Sequence, residues 1–212
     1  MSRYAGGNCP PGHPARIVLI GDSFVTRFER YCRAHAIVNG GLDPRLISLS
    51  VVGKGGAHLG WVNDAAPRIL QSNATKAVLT LGGNDLNNAD CKPDQLAKEL
   101  LNIARSFINV DGFQKVAICQ LQYRYPPSGS RLHSATARKY PLRPDYNRLV
   151  DQVNIELRRL TDFFPKIHVW KHRGLLLNYK AFVSDDGVHV GPEGERKFFR
   201  SIRGAALFLS KC

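Results

Sequence analysis

Residues Arg16-Ile-Val-Leu-Ile-Gly-Asp-Ser-Phe24 decide the fold. Ile17 to Ile20 is an apolar run too short for a helix and rich in β-branched side chains, which predicts a buried strand. It ends abruptly on Gly21-Asp22-Ser23, residue types that close a strand and start a helix. The same grammar recurs along the chain. Leu46–Val52, Lys76–Leu81, Lys115–Leu121 and Ile167–Trp170 read as further buried strands. Helical segments separate them: Val25–Ala36, about His58–Leu70, Pro93–Val110, a stripe through Tyr146, Leu149, Val150, Val153, Leu157 and Leu160, and a last helix from Pro192. Leu96, Leu100, Ile103, Ala104 and Phe107 repeat at three- and four-residue spacing, the period of one helix face. Buried strands alternating with amphipathic helices predict an α/β domain: a parallel sheet of about five strands covered on both faces. Ligands of such sheets bind beyond the carboxyl ends of the strands, so the residues just after each apolar run are the ones to inspect.

The chain has 212 residues, 43% of them hydrophobic. That is enough for one domain with a sizeable core, without disulfide or metal staples. Residues 1–14, rich in Gly and Pro, read as a flexible leader, and 15–212 as a single domain. Cys9, Cys32, Cys91, Cys119 and Cys212 are odd in number and scattered, with no Cys-x-x-Cys and no zinc spacing. They read as reduced thiols, and with no apolar signal segment at the N-terminus the expected location is intracellular, in the cytoplasm. No stretch approaches the roughly 18 apolar residues of a membrane span. Thirty Lys and Arg against seventeen Asp and Glu give a formal charge of +13. That balance favours polyanionic partners, nucleic acid or an anionic membrane surface, and equally fits a soluble basic protein.

Three strand ends and the stretch before the last helix carry chemistry. Ser23 sits where its hydroxyl would lie at the working edge of the sheet and its N–H at a helix N-terminus; the sequence fits an ordinary N-cap as well. Gly53-Lys54-Gly55-Gly56 is a turn able to bring backbone N–H groups to a ligand, but its spacing matches neither a dinucleotide fingerprint nor a P-loop. Gly82-Gly83-Asn84-Asp85 offers a side-chain amide that can donate to a developing oxyanion. In Asp186-Gly187-Val188-His189 a carboxylate three residues before an imidazole can hold its Nδ1–H and leave Nε2 as a base. No second His lies near enough in sequence to favour a metal there, and His168 and His172 read as structural.

Together the four motifs resemble those of the SGNH (GDSL-type) hydrolase superfamily, over roughly residues 16–209. In overall texture the chain is also similar to esterase domains carried by animal transposable elements. The superfamily resemblance implies a flavodoxin-like three-layer α/β/α fold and hydrolysis of carboxylic esters with neither metal nor organic cofactor. It implies Ser23 as nucleophile, His189 as general base and Asp186 as its orienting acid. The oxyanion hole would be made by the N–H groups of Ser23 and Gly56 and the Asn84 amide. The absence of a Gly-x-Ser-x-Gly elbow argues against the α/β-hydrolases, which use the same Ser, Asp, His order.

Substrate is read from what remains. The Gly56 and Asn84 turns crowd the catalytic edge and no long apolar insertion is evident, which favours a short acyl group, acetyl first. The segment 123–143 is basic and too long for an ordinary connection. Arg124, Arg131, His133 and Arg138 are expected to form a substrate rim for an anionic alcohol moiety. A basic binding module for nucleic acid or anionic lipid, built on the same fold, is the competing function.

Overall fold

The computed structural model describes residues 13–128 and 142–211. Five strands form one sheet: β1 (Ala15–Gly21), β2 (Ile47–Gly53), β3 (Lys76–Thr80), β4 (Lys115–Cys119) and β5 (Ile167–Trp170). Every pairing is parallel, in the order β2-β1-β3-β4-β5. The helices are α1 (Ser23–Ala34), α2 (Trp61–Gln71), the single turn α3 (Gly83–Leu86), α4 (Pro93–Asn109), α5 (Tyr146–Thr161), the short α6 (Tyr179–Phe182) and α7 (Pro192–Ser210).

Alternation along the strands explains the three layers. Val18, Ile20, Ala77, Leu79, Val116 and Ile118 point to one face, where they pack on α2, α4 and α5. Ile17, Leu19, Val78, Ala117 and Cys119 point to the other, against α1 and α7. Residues 17–20 are wholly buried, which is why this stretch shows no polar alternation: both of its faces are interior. Burying each large aliphatic side chain contributes about 1.5–3 kcal/mol, and this double-sided core is the fold's main support.

The strand order reverses at β1, since β2 lies on one side of it and β3 on the other. That switch point opens a crevice at the carboxyl ends of β1 and β3. It is held together there by the Asp22 N–H, which donates to Thr80 O at 3.2 Å.

The ends of elements differ from expectation by a few residues. Helix α1 begins at Ser23 itself, because the buried Asp22 carboxylate accepts from Phe24 N at 3.0 Å and caps it. Helix α2 starts only at Trp61, after a turn that residues 54–60 spend serving the site. Strand β4 stops at Cys119, with β5 ending alongside at Trp170. Among the described residues no helix is long and apolar enough to cross a membrane. Cys32, Cys91 and Cys119 are free thiols; burial pushes Cys119 up to about 12, so it is inert. Cys9, Cys212 and most of the expected leader lie outside the described residues.

Candidate active site

Two distant stretches meet at the crevice. Ser23 Oγ lies 2.7 Å from His189 Nε2, and His189 Nδ1 lies 2.8 Å from Asp186 Oδ2. The hydroxyl, imidazole and carboxylate therefore touch in series. The turn that carries the last two is built around the other carboxylate oxygen. Asp186 Oδ1 accepts from Ser184 Oγ at 2.9 Å, Val188 N at 2.9 Å and His189 N at 2.8 Å. Burial alone would raise this carboxyl. The hydrogen bonds from the His189 ring and from the His189 and Val188 N–H groups outweigh it and hold Asp186 well below the usual carboxylate range. Arg27 stands 3.5 Å from Asp186 Oδ2, adding a cation on the same side. The Phe24 ring leans against the imidazole, centroids 5.7 Å apart.

The donors predicted for an oxyanion follow the adjacent ends of β1, β2 and β3, where Gly21 pairs with Gly53 and with Thr80. The Ser23 N–H, at the first position of α1, and the N–H of Gly56 have no backbone acceptor among the described residues. Gly56 adopts φ +71°, a left-handed conformation that glycine enters without the Cβ penalty. Asn84 Nδ2 donates one hydrogen to Ala57 O at 2.9 Å and has no second acceptor among the described residues. Next to it, Asp85 Oδ1 accepts from Leu59 N at 3.0 Å. These two bonds lock the Gly56 turn to the Asn84 turn. The sequence reading gave Asp85 no role; its position directly after a donor Asn, facing a glycine-rich turn with spare N–H groups, was the available signal.

Arg124 requires a correction. Expected at a solvent-facing rim, it is only 8% exposed. Its guanidinium donates to Asn84 Oδ1 at 2.9 Å, and Cζ lies 5.0 Å from the centre of the Tyr146 ring. Burial of this charge after β4 is tolerated because it finds both an acceptor and an aromatic face. Arg143, from the same basic segment, is also committed, to Asp145 Oδ1 at 2.8 Å and to Asn88 O and Cys91 O at 3.0 Å each. The other expected rim residues, Arg131, His133 and Arg138, lie outside the described residues. The base of that segment is tied to the acid–base turn: Tyr125 N donates to Gly187 O at 2.7 Å and Ser128 N to Asp185 O at 2.8 Å.

Asp22, adjacent to the serine, is buried. Desolvation raises its carboxyl to about 6, against the lowering pull of the Phe24 N–H, Arg124 and His189. The remaining histidines on β5 and after it are structural, as expected. His172 is buried, bonds Ser201 Oγ at 2.8 Å, and is lowered by desolvation to about 4. No group of three or more His, Cys, Asp or Glu among the described residues is arranged to hold a metal ion.

Comparison with solved structures gives the same architecture. The chain superposes on a GDSL-like lipase from Bacteroides thetaiotaomicron with a TM-score of 0.68, at 15% identity, covering 92% of this chain and 89% of that one. The fold is that of the SGNH (GDSL-type) hydrolases. Other structures with the SGNH fold that resemble the chain include a mutant acetyl esterase with acetate ion, at TM-score 0.63 and 14% identity, covering 92% and 97% of the two chains. A mutant acetyl-xylooligosaccharide esterase from a Geobacillus gives TM-score 0.59 and 12% identity, covering 90% and 93%. No protein-family model and no curated protein sequence matches the chain.

Proposed function

We propose that the protein is a serine ester hydrolase working through an acyl-enzyme, with Ser23 as nucleophile, His189 as general base and acid, and Asp186 as the group that orients the imidazole. The observation that carries this reading is the unbroken contact from Ser23 Oγ through His189 to Asp186, 2.7 Å and 2.8 Å, beside uncommitted N–H donors. As Ser23 Oγ attacks the ester carbonyl, its proton passes to His189 Nε2. The carbonyl oxygen becomes an oxyanion, received by the Ser23 and Gly56 N–H groups and the free Asn84 Nδ2 hydrogen. Collapse expels the alcohol, which takes the proton from Nε2. Water then attacks the acyl-Ser23 by the same route and releases the acid.

The acyl group we propose is short, with acetyl preferred. Two structural neighbours are acetyl esterases, and the Gly56 and Asn84 turns are tied together by the Asn84–Ala57 and Asp85–Leu59 bonds, a rigid setting that suits a small acyl group. A fluorophosphonate probe and p-nitrophenyl esters from acetyl to palmitoyl test the reading. Stoichiometric labelling and turnover, both lost in Ser23→Ala and greatest for acetyl, are expected. Equal hydrolysis by wild type and Ser23→Ala would overturn the mechanism, and a palmitoyl preference the acyl assignment.

A second, compatible reading has one observation behind it. A groove of about 940 Å³ runs along β5, lined by the rings of Phe164, Trp170 and Phe208 and by Arg158, Lys171, Arg173 and Lys211, with Asp162 its one acid. None of those four cations is ion-paired among the described residues. Unpaired cations interleaved with rings suit a single-stranded nucleic acid, whose phosphates and bases they meet respectively. Filter binding of an oligonucleotide at two salt concentrations checks it: affinity should fall steeply with salt. No binding at low salt removes the reading.

A further inference from the structure

We infer that Arg124 is the positioning residue of the oxyanion hole: its buried guanidinium fixes and polarises the Asn84 amide from behind. The inference rests on the esterase reading and adds to it a residue that touches no substrate.

The chemistry of the donors assigns the amide. A guanidinium only donates, so the Asn84 atom it meets at 2.9 Å must be the carbonyl oxygen. A backbone carbonyl only accepts, so the atom facing Ala57 O at 2.9 Å must be the nitrogen. The two ends of the amide thus have unlike partners, neither of which tolerates a flip. What remains is a single Nδ2 hydrogen, and it is the one left for the oxyanion. Without Arg124 the amide would pivot about its bond to Ala57.

Arg124 is itself held at its backbone and at one face of its guanidinium. Asn147 grips the Arg124 backbone twice, accepting from its N–H at 2.8 Å and donating to its carbonyl at 2.9 Å. Tyr146 supplies the aromatic face below it and donates its own hydroxyl to Gly83 O at 3.1 Å. A side chain on Gly83 would place its Cβ 3.2 Å from both the Arg124 guanidinium and the Tyr146 hydroxyl. The residue before Asn84 therefore leaves just the room the cation needs.

A cation one hydrogen bond behind the donor strengthens that donor as negative charge grows on the substrate oxygen, and it does so in a site with little water to screen it. The fork geometry also matters. A lysine reaching the same oxygen would present a shorter, more strongly hydrated point charge with no second arm to lie flat on Tyr146.

The experiment uses the full chain and p-nitrophenyl acetate. Arg124→Met should lower kcat about 10- to 100-fold with KM within about 2-fold, less than the roughly 10²–10³-fold expected for losing an oxyanion donor outright. Arg124→Gln, which keeps a donor to Oδ1 without the charge, should recover part of that loss. In an Asn84→Ala background, Arg124→Met should cost less than about 2-fold, because the residue acts through Asn84. Equal kcat for wild type and Arg124→Met, or full additivity of the two substitutions, overturns the inference. An inactive wild type overturns the esterase reading instead. Thermal melts of Arg124→Gln separate both outcomes from misfolding: a melting point near wild type with reduced kcat supports positioning, whereas a kcat loss that vanishes once folded fraction is corrected for overturns it.

Discussion

Asn154 closes both backbone hydrogen bonds of Leu121. Its Oδ1 accepts from Leu121 N at 2.8 Å and its Nδ2 donates to Leu121 O at 3.1 Å. One side chain on α5 thereby substitutes for a neighbouring strand where the sheet has ended. Two helical turns earlier, Asn147 does the same for Arg124. The path of the chain out of β4 is thus read by a pair of asparagines at positions seven apart on one helix face. Asn154 is buried, so Asn154→Ala strands a donor and an acceptor away from water. We expect a loss of about 2–6 kcal/mol, from about 1–3 kcal/mol for each of the two unsatisfied groups. The urea midpoint reports it, with the slope unchanged; an unshifted midpoint would show that water replaces the amide.

That pair marks where the sequence stopped being readable. The apolar run Val116–Leu121 predicts a strand to its end, and Leu121 is indeed buried. What ends the strand at Cys119 is the loss of a partner strand beyond Trp170, a tertiary fact with no local signature. The elements themselves were legible because residues 17–20, 77–79 and 116–118 are buried on both faces and the helices on one. Three of the four motifs were legible because topology forces their residues to strand ends, and the fourth because an acid stands three residues before a His in a turn-forming stretch. Arg124 was not: a lone arginine in a basic, proline-containing stretch looks solvated, and only the approach of Asn84 from 40 positions away reveals its acceptor.

Asn84→Ala removes one donor and leaves the Ser23 and Gly56 N–H groups. A fall in kcat of about 10²–10³-fold is expected, equivalent to about 3–4 kcal/mol of lost transition-state stabilisation. Steady-state kinetics with p-nitrophenyl acetate provide the check, and a loss confined to KM would assign Asn84 to ground-state binding.

Asp186→Asn keeps the size of the side chain but can donate to the ring nitrogen it should accept from, favouring the wrong imidazole tautomer. In a Ser-His-Asp arrangement that swap costs on the order of 10⁴-fold in kcat. The carboxyl's folded-state value is depressed, so the stability it contributes is fully present above its unfolded value of about 3.9 and is lost as pH falls through the lower folded one. The difference in melting temperature between wild type and Asp186→Asn should therefore be the same at pH 5 and pH 7. A difference that shrinks by pH 5 would contradict the hydrogen-bond geometry of this turn.

Asp22 behaves in the opposite sense. Its carboxyl is raised to about 6 in the folded protein, above the unfolded value of about 3.9. Its contribution to stability is therefore greatest below about pH 4, falls as pH rises to about 6, and is level beyond; the total is roughly 2–3 kcal/mol. Asp22→Asn still caps the Phe24 N–H with its carbonyl oxygen and has no charge to bury. The variant should match wild type at pH 4 and exceed it in denaturant midpoint at pH 7.5. Parallel pH profiles for the two proteins would mean that Arg124 already neutralises the cost of the buried charge.

Gly187 sits between the acid and the base, buried, at φ +73°. A Cβ there would overlap the Tyr125 carbonyl oxygen, and the left-handed conformation adds about 1–2 kcal/mol of its own for any other residue. The Gly187 carbonyl also receives Tyr125 N at 2.7 Å, so the turn cannot yield without parting from the segment that leads to Arg124. Gly187→Ala should thus move the Asp186–His189 turn away from Ser23 rather than unfold the domain, because the core on both sheet faces is untouched. The expected signature is a melting point lowered by a few degrees together with a disproportionate loss of fluorophosphonate labelling at Ser23. Labelling at the wild-type rate in the folded variant would show that the serine does not depend on that turn for its reactivity.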